Sequence, residues 1–492
     1  MRTAVHGMPR IGQDRSLKWA LESFWAGTMS APDLDEVAAS IRRQNWQSMI
    51  AANVDFVPSN DFSLYDHVLD AAVMVGAVPA RFIPGGRTID RERYFAMARG
   101  GDIDGKAVVP LDLTKWFDTN YHHLVPELDS DAVFAPDATK ARGELAEASG
   151  FGIHTTPVLL GPLTLVLRST PVHPGVDMLG LLHPLVDAYI EVLSQLKKDG
   201  ATWVRVDEPA LVEERTNDEL AALRRVYRRL GDHADRPKIA LSTYFGHLGS
   251  AMEEVGELPV EAVGLDFCRG RENLHLLQST GGVGDKVLFA GVVDGRNVWA
   301  NNLHASLDLL DELTGLAREV VISTSCSLLH VPLGSATDEN VDDEVRPWLA
   351  FADDKLGELT VLARGSADGH QAVADELDAN RAVIATRRNS PRVTNKVVRQ
   401  RVASFGEADP HRVQASPERA ATQRAALALP ALPTTTIGSF PQTPELRRSR
   451  ASWRAGHVND ADYDASLRAE IDRVLAIQEE IGLDVLVHGE PE

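Results

Sequence analysis

Between about residue 150 and residue 330 the chain alternates short β-branched runs with amphipathic stretches of helical period, and this alternation restricts the fold more than any other feature. Strand-like runs lie at 157–160, 203–206, 239–243, 263–267, 287–292 and 320–323, with helical patterns such as 179–198 and 217–230 between them. An earlier run at 54–58 follows a helical stretch at 34–52 and brings the number to seven, and an eighth is expected near 78–82. Strands joined through helices lie parallel, because a parallel neighbour is reached only by a crossover. The pattern predicts an α/β fold of the (β/α)8 TIM type, with the stretch from roughly 84 to 145 as an insertion. Asp61, Asp207, Glu208, Tyr244, Asp266, Asp294 and Cys326 each fall at or just past the carboxyl end of a strand-like run. Barrels of this type carry their chemistry on that face.

Composition narrows the function. With 492 residues, 44% of them hydrophobic, the chain can bury more than one core. A formal charge of −21 argues against general nucleic-acid binding, and it requires any anionic substrate to meet a local cluster of Lys and Arg. No run approaches the roughly 18 apolar residues of a membrane span, and the start Met1-Arg2-Thr3-Ala4-Val5-His6-Gly7 lacks the apolar core of a secretory signal. Cys268 and Cys326 are too few for a disulfide framework; they fit a reducing cytoplasm and are read as small packing residues. His122, His123 and His154 have no ligand-like arrangement and are read as loop or core histidines. Small molecules are the expected partners, with neither nucleic acid nor membrane, and a monomer is expected.

The sequence also repeats itself. Trp25-Ala26-Gly27, Asp33-Leu34-Asp35, a helical stretch and Val54-Asp55-Phe56-Val57 return as Arg454-Ala455-Gly456, Asp462-Tyr463-Asp464, a helical stretch and Leu483-Asp484-Val485-Leu486. Gly27 and Gly456, Asp33 and Asp462, and Asp55 and Asp484 are each separated by 429 positions, a constant offset that reads as a duplicated barrel. After about 340 the pattern turns helical and charged through Arg401, and Gly, Asp-Pro, Ser-Pro and further prolines at 405–413 and 416–433 read as a connector. The expected order is a barrel with insertions over 1–400, a linker over 401–430, and the beginning of a second, incomplete barrel over 431–492. A whole second barrel takes about 250 residues, so the chain is expected to be truncated just after that barrel's first strand.

Leu432-Pro433-Thr434-Thr435-Thr436-Ile437-Gly438-Ser439-Phe440-Pro441-Gln442-Thr443 and Val487-His488-Gly489-Glu490 resemble the opening motifs of the carboxy-terminal barrel of cobalamin-independent methionine synthases. Pro9-Arg10-Ile11-Gly12 with Arg15-Ser16-Leu17-Lys18, and Thr114-Lys115-Trp116-Phe117-Asp118-Thr119-Asn120-Tyr121-His122, are similar to amino-terminal motifs of the same family. So are Leu159-Leu160-Gly161-Pro162, Val206-Asp207-Glu208-Pro209-Ala210-Leu211, Asp294-Gly295-Arg296-Asn297-Val298-Trp299 and Ser325-Cys326-Ser327-Leu328-Leu329-His330. The resemblance extends over essentially the whole chain. It implies a methyltransferase of methionine biosynthesis, which moves the N5 methyl group of 5-methyltetrahydropteroyltri-L-glutamate to L-homocysteine with zinc and without cobalamin.

By the same resemblance Arg15, Ser16, Leu17, Lys18 and Lys115 would bind the folate polyglutamate, and Ile437, Gly438, Ser439 and Glu490 would bind homocysteine. Cations suit a chain of carboxylates, a glycine lets backbone approach a ligand, and a serine can donate to a carboxylate. The family's zinc ligands and general acid lie past Glu492, so the resemblance implies no catalytic residue and no metal ligand here, and no turnover by this chain alone. The nearest approach to a ligand set is Cys326 and His330, with Asp266 and Cys268 at another strand end, in a barrel that resembles a copy that lost its metal. Two rivals stand beside this reading. One is a non-enzymatic folate-binding or scaffold barrel of the same ancestry. The other, from the residues alone, is a barrel hydrolase or lyase using Asp207, Glu208 and Asp266 as acid and base.

Overall fold

The computed structural model describes residues 1–84, 89–334, 341–406 and 410–489. Its contacts divide into two units, Met1–Thr394 and Asn395–Glu492.

The first unit is built on eight parallel strands: β1 (Arg2–Ala4), β2 (Val57–Ser59), β3 (Thr155–Leu160), β4 (Trp203–Asp207), β5 (Lys238–Ser242), β6 (Ala262–Asp266), β7 (Val287–Val293) and β8 (Glu319–Thr324). They neighbour one another in the order β1-β8-β7-β6-β5-β4-β3-β2, and a parallel bridge between Ala4 and Phe56 joins β1 to the start of β2 and closes the ring. Seven strands lie where the periodicity places them. The eighth does not: the run at 78–82 ends in the short turn Ala80–Phe82, next to Pro79, which has no N–H to give a ladder. The missing strand is Arg2–Ala4, in register with Val321–Ser323. Its Arg2 pairs with Glu319 at 2.7 Å, and the Thr3 N–H donates to Asp55 Oδ2 at 2.8 Å.

Helices cover the outside. Leu182–Lys198 turns Leu185, Val186, Tyr189, Val192, Leu193 and Leu196 inward at helical spacing, each fully buried and contributing about 1.5–3 kcal/mol for an aliphatic side chain. Asn217–Asp232 begins with a capping box between Thr216 and Glu219. Between β2 and β3 the chain adds helices His67–Val75 and Arg91–Arg99, then two antiparallel hairpins, Gly101–Ile103 with Lys106–Val108 and Leu113–Lys115 with His122–Leu124.

Inside the ring, aromatic residues alternate with small ones. Phe56 meets Trp203 and Phe289 edge-on at 5.8 and 4.9 Å, with Ala4, Ala240, Ala262, Val287 and Val321 filling between them. Two residues further along β4, Arg205 points into the same interior. Its Nε donates to Asp207 Oδ1 at 2.7 Å, and its guanidinium also reaches the carbonyls of Val5 and His6. His6 Nε2 lies 2.8 Å from Ser242 Oγ. A buried guanidinium with this many acceptors is a satisfied charge, and the barrel centre is packed.

The second unit holds helices Lys396–Ala403, Ser416–Leu427, Pro444–Arg454 and Asp460–Ile481. Part of the expected connector is therefore helical, with Pro417 in a first turn where its missing N–H costs nothing. The repeat is visible in backbone detail. Asn53, Asn60 and Gly27 have φ of 55°, 61° and 74°, and Gly482, Gly489 and Gly456, each 429 positions on, have 78°, 73° and 72°. Ser30 caps Asp33 N as Asn459 caps Asp462 N. Phe56 N donates to Thr3 O at 3.0 Å, and Val485 N to Thr434 O at 3.0 Å. Asp484 Oδ2 accepts from Thr434 N at 2.8 Å, as Asp55 does from Thr3. The strand expected at 483–486 is this extended segment beside 434–436, without a ladder among the described residues.

Candidate functional site

At the carboxyl ends of the strands, most polar groups are committed to the barrel itself. Glu208 is fully buried: its carboxylate accepts from Leu163 N at 3.1 Å, Thr164 N at 2.7 Å and Tyr227 Oη at 3.1 Å, and burial pushes its pKa up to about 7. Asp266 accepts from the backbone N–H groups of Phe245, Cys268 and Arg269 at 3.0, 2.8 and 2.8 Å, and burial raises it to about 6. Asp294 accepts from Arg296 N at 2.7 Å and Asn297 Nδ2 at 2.6 Å. Asp61 Oδ2 accepts from Met8 N at 3.0 Å, and burial raises its pKa to about 6. These carboxylates organise turns and helix starts, which disfavours the acid–base reading of Asp207, Glu208 and Asp266.

The same residues do not fit a zinc ion. Cys268 Sγ donates to Gly291 O at 3.5 Å and Cys326 Sγ to Ser327 O at 3.6 Å, so both thiols face backbone acceptors. Asp266 and Asp294 already hold backbone donors, and His330 is enclosed by Phe245 and Tyr121 at 5.5 and 6.3 Å. Among the described residues no group of three or more His, Cys, Asp or Glu side chains is placed to hold a metal ion.

A hairpin reaches over this rim. The hairpin of Leu113–Lys115 and His122–Leu124 turns at Trp116–Tyr121, where Trp116 N donates to Tyr121 O at 2.7 Å and Thr119 N to Trp116 O at 3.1 Å. Trp116 is buried against His67 and His123 at 4.6 and 5.3 Å. Phe117 meets Phe245, from the segment after β5, at 5.6 Å. Asp118 Oδ1 accepts from Arg296 Nη1 at 2.7 Å, Arg296 belonging to the segment after β7. Arg296 also lies over the Phe245 ring at 4.8 Å, and Arg168 over Phe117 at 4.1 Å. Phe117 and Phe245 both have positive φ, 53° and 83°. A bulky residue there costs on the order of 1–2 kcal/mol, so their mutual contact and the Arg296 pair hold the tip in a shape that isolated chain disfavours.

Two family models match the chain: cobalamin-independent synthase, N-terminal domain, over residues 2–318, and cobalamin-independent synthase, catalytic domain, over 432–492. The chain belongs to the cobalamin-independent methionine synthase family. It is 50% identical over its whole length to the 5-methyltetrahydropteroyltriglutamate–homocysteine methyltransferase of Streptomyces avermitilis, and 47% identical over 99% of its length to that of Mycobacterium tuberculosis. It spans 64% of the length of the Streptomyces protein and 63% of the Mycobacterium one. A solved Listeria monocytogenes structure assigned as a vitamin B12-independent methionine synthase superposes with a TM-score of 0.50 at 12% identity, covering 75% of this chain and 98% of that one, and shares the fold.

The positions that the family resemblance singles out fall in two places. Arg15 and Lys18 are exposed at the start of helix Ser16–Trp25, where Gly12, Asp14 and Arg15 all have positive φ. Ser16 is half-buried, and Leu17 is buried with its N–H on Ile11 O at 3.1 Å, so Leu17 can shape the turn but offers no side chain. Lys18 is within 3.7 Å of Glu22 and over Trp19 at 4.7 Å. Lys115 is exposed on the rim hairpin opposite His122. The helix and the hairpin share one core cluster, through Leu17, Leu111 and Leu124. In the second unit Ile437, Gly438 and Ser439 are exposed, and a Cβ on Gly489 would lie 3.1 Å from Ser439 Cα, so the two motifs meet. Glu490 lies outside the described residues. The link from Arg296 to Asp118 is 178 positions long in sequence, and no local pattern announces it.

Proposed function

We propose that this chain serves methyl transfer from 5-methyltetrahydropteroyltri-L-glutamate to L-homocysteine, giving L-methionine without cobalamin, and that residues 1–492 alone do not turn over. What supports the reaction is the 50% identity across the whole chain with a methyltransferase named for those two substrates. The chemistry sets three demands: a thiol activated as thiolate, a protonated amine leaving group and cations for a polyanionic tail. In a chain of net charge −21, Arg15, Lys18 and Lys115 are the residues proposed for the third, on a helix and a hairpin that share the cluster of Leu17 and Leu124, with Ser16 and Leu17 shaping the turn. Ile437, Gly438, Ser439 and Glu490 are the proposed homocysteine contacts. The carboxylates Asp61, Glu208, Asp266 and Asp294 at the strand ends of the first barrel are engaged with its backbone, so we assign the zinc and the general acid to none of them.

We keep the division into a barrel over 1–400, a linker over 401–430 and the opening of a second barrel over 431–492, and we take the chain as a cytoplasmic monomer. The test is methionine formation from homocysteine and the triglutamate donor, with zinc added, beside calorimetric titration of the donor. Binding without turnover is the expected result. Turnover by the 492-residue chain overturns the assignment of the catalytic groups, and no affinity for the triglutamate overturns the tail site.

A further inference from the structure

We infer that Arg296 and Asp118 are positioning residues for the polyglutamate tail, acting through the hairpin that carries Lys115. The inference rests on the reading of Lys115 as a tail contact and adds how that ammonium is held in place. Lys115 belongs to a three-residue strand that, among the described residues, pairs with one other three-residue strand, and a hairpin of that size is marginal alone. Without support, binding has to order the hairpin as well as the lysine side chain, and each ordering step lowers affinity.

The support comes from the barrel rim, three residues further along the chain. Arg296 Nη1 donates to the Asp118 carboxylate at 2.7 Å and Nη2 to the Asp118 carbonyl at 3.4 Å, so one guanidinium grips side chain and backbone together. Only a tenth of the Arg296 side chain is exposed, which strengthens the pair relative to one in open water, although Asp118 itself faces solvent. Arg296 is held in turn, with its own N–H on Asp294 and its guanidinium over the Phe245 ring. Phe245 receives Phe117 from the hairpin and carries its N–H on Asp266. Segments after β5 and β7 thus clamp the tip, while Leu124 anchors the base in the cluster that contains Leu17. The distance between Lys115 and the Arg15–Lys18 turn is thereby set before the tail arrives.

The test is calorimetric titration of the 492-residue chain with 5-methyltetrahydrofolate carrying three glutamates or one, in the wild type and in Lys115→Ala, Arg296→Ala, Arg296→Lys and Asp118→Ala. Amide exchange across 113–124 is followed in parallel. Arg296→Ala and Asp118→Ala are expected to weaken triglutamate binding about tenfold, as Lys115→Ala does, and monoglutamate binding by less than about twofold. Arg296→Lys recovers part of the loss. The Trp116 and Thr119 amides lose protection in Arg296→Ala and keep it in Lys115→Ala. Should Arg296→Ala fold poorly, Asp118→Ala removes the same pair from its solvent side. If Lys115→Ala binds the triglutamate like the wild type, the tail reading fails. If Lys115→Ala is weakened while the Arg296 and Asp118 variants are not, the positioning inference fails with that reading intact. Unchanged exchange at Trp116 in Arg296→Ala overturns the inference whether or not any folate binds.

Discussion

The first sixty residues and the segment from 432 to 489 use the same threonine–aspartate clasp, the same polar helix cap and the same left-handed turns, and among the described residues a sheet is seen only with the first. In the first copy, helix Ala31–Ala51 buries Leu34, Ala38, Ile41, Asn45, Trp46 and Met49. In the second, Asp460–Ile481 buries Tyr463, Val474 and Gln478, which stand at the positions of Leu34, Asn45 and Met49. Caps and turns are settled by residues a few positions apart, so they survive in either setting. Strands and wide buried faces need neighbours: β1 lies between β8 and Phe56, and β2 lies against β3.

The largest contrast is expected from the helix faces. Trp46→Ala removes a fully buried indole whose N–H donates to Pro58 O at 3.0 Å, and is expected to cost about 3–5 kcal/mol. Leu475→Ala, at the matching position and half-buried, is expected to cost about 1 kcal/mol. Native-state amide exchange of the two helices under mild denaturant measures both, and equal losses would break the comparison.

A second contrast is in pH. Folded Asp61 titrates at about 6, above the roughly 3.9 of an unfolded carboxyl. The folded chain therefore holds that proton more tightly, so the favourable share is complete below about pH 4 and is lost as the pH rises through 6. With Asp61 only partly exposed, the change is about 2 kcal/mol after allowance for solvent screening. Asp61→Asn keeps an acceptor for Met8 N and should flatten the denaturation midpoint between pH 4 and 7.

Caps should not distinguish the copies. Ser30→Ala and Asn459→Ala are each expected to destabilise their own helix by about 1 kcal/mol, read from exchange of the first-turn amides. Unequal costs would mean that the caps, too, depend on tertiary surroundings.

The smallest effect is at Asp484, where the backbone and hydroxyl of Thr434 hold the carboxyl below its ordinary value. That share is present above the unfolded value of about 3.9 and is lost as the pH falls through the folded one, opposite in sign to Asp61. An NMR titration of the Thr434 amide follows it, and an Asp484→Asn chain with the same titration would remove the contrast.

Seven of the eight barrel strands are legible in the sequence because each lies on a short run rich in β-branched or apolar residues, most fully in Val287–Val293, where every residue is buried. Arg2–Ala4 is not, because nothing in Arg-Thr-Ala marks a strand; Glu319 and Asp55, far away in sequence, make it one. The stretch 78–82 looks like a strand by composition, and Pro79 decides against it. Of the candidate site, the motifs around Lys115 and Arg296 stand out individually. That Asp118 would meet Arg296, and Phe117 meet Phe245, depends on a hairpin folding back over the rim, and such a contact has no periodicity to betray it.

The filling of the barrel is unlike at its two ends: Phe56, Trp203 and Phe289 close one, while Arg205, Asp207 and His6 occupy the interior towards the other. Loops can be rewritten above the charged layer while the oily stopper beneath goes on holding the staves together. Segments at the lip can take on new contacts, as the one after β7 does where Arg296 meets Asp118, with the foundations left alone.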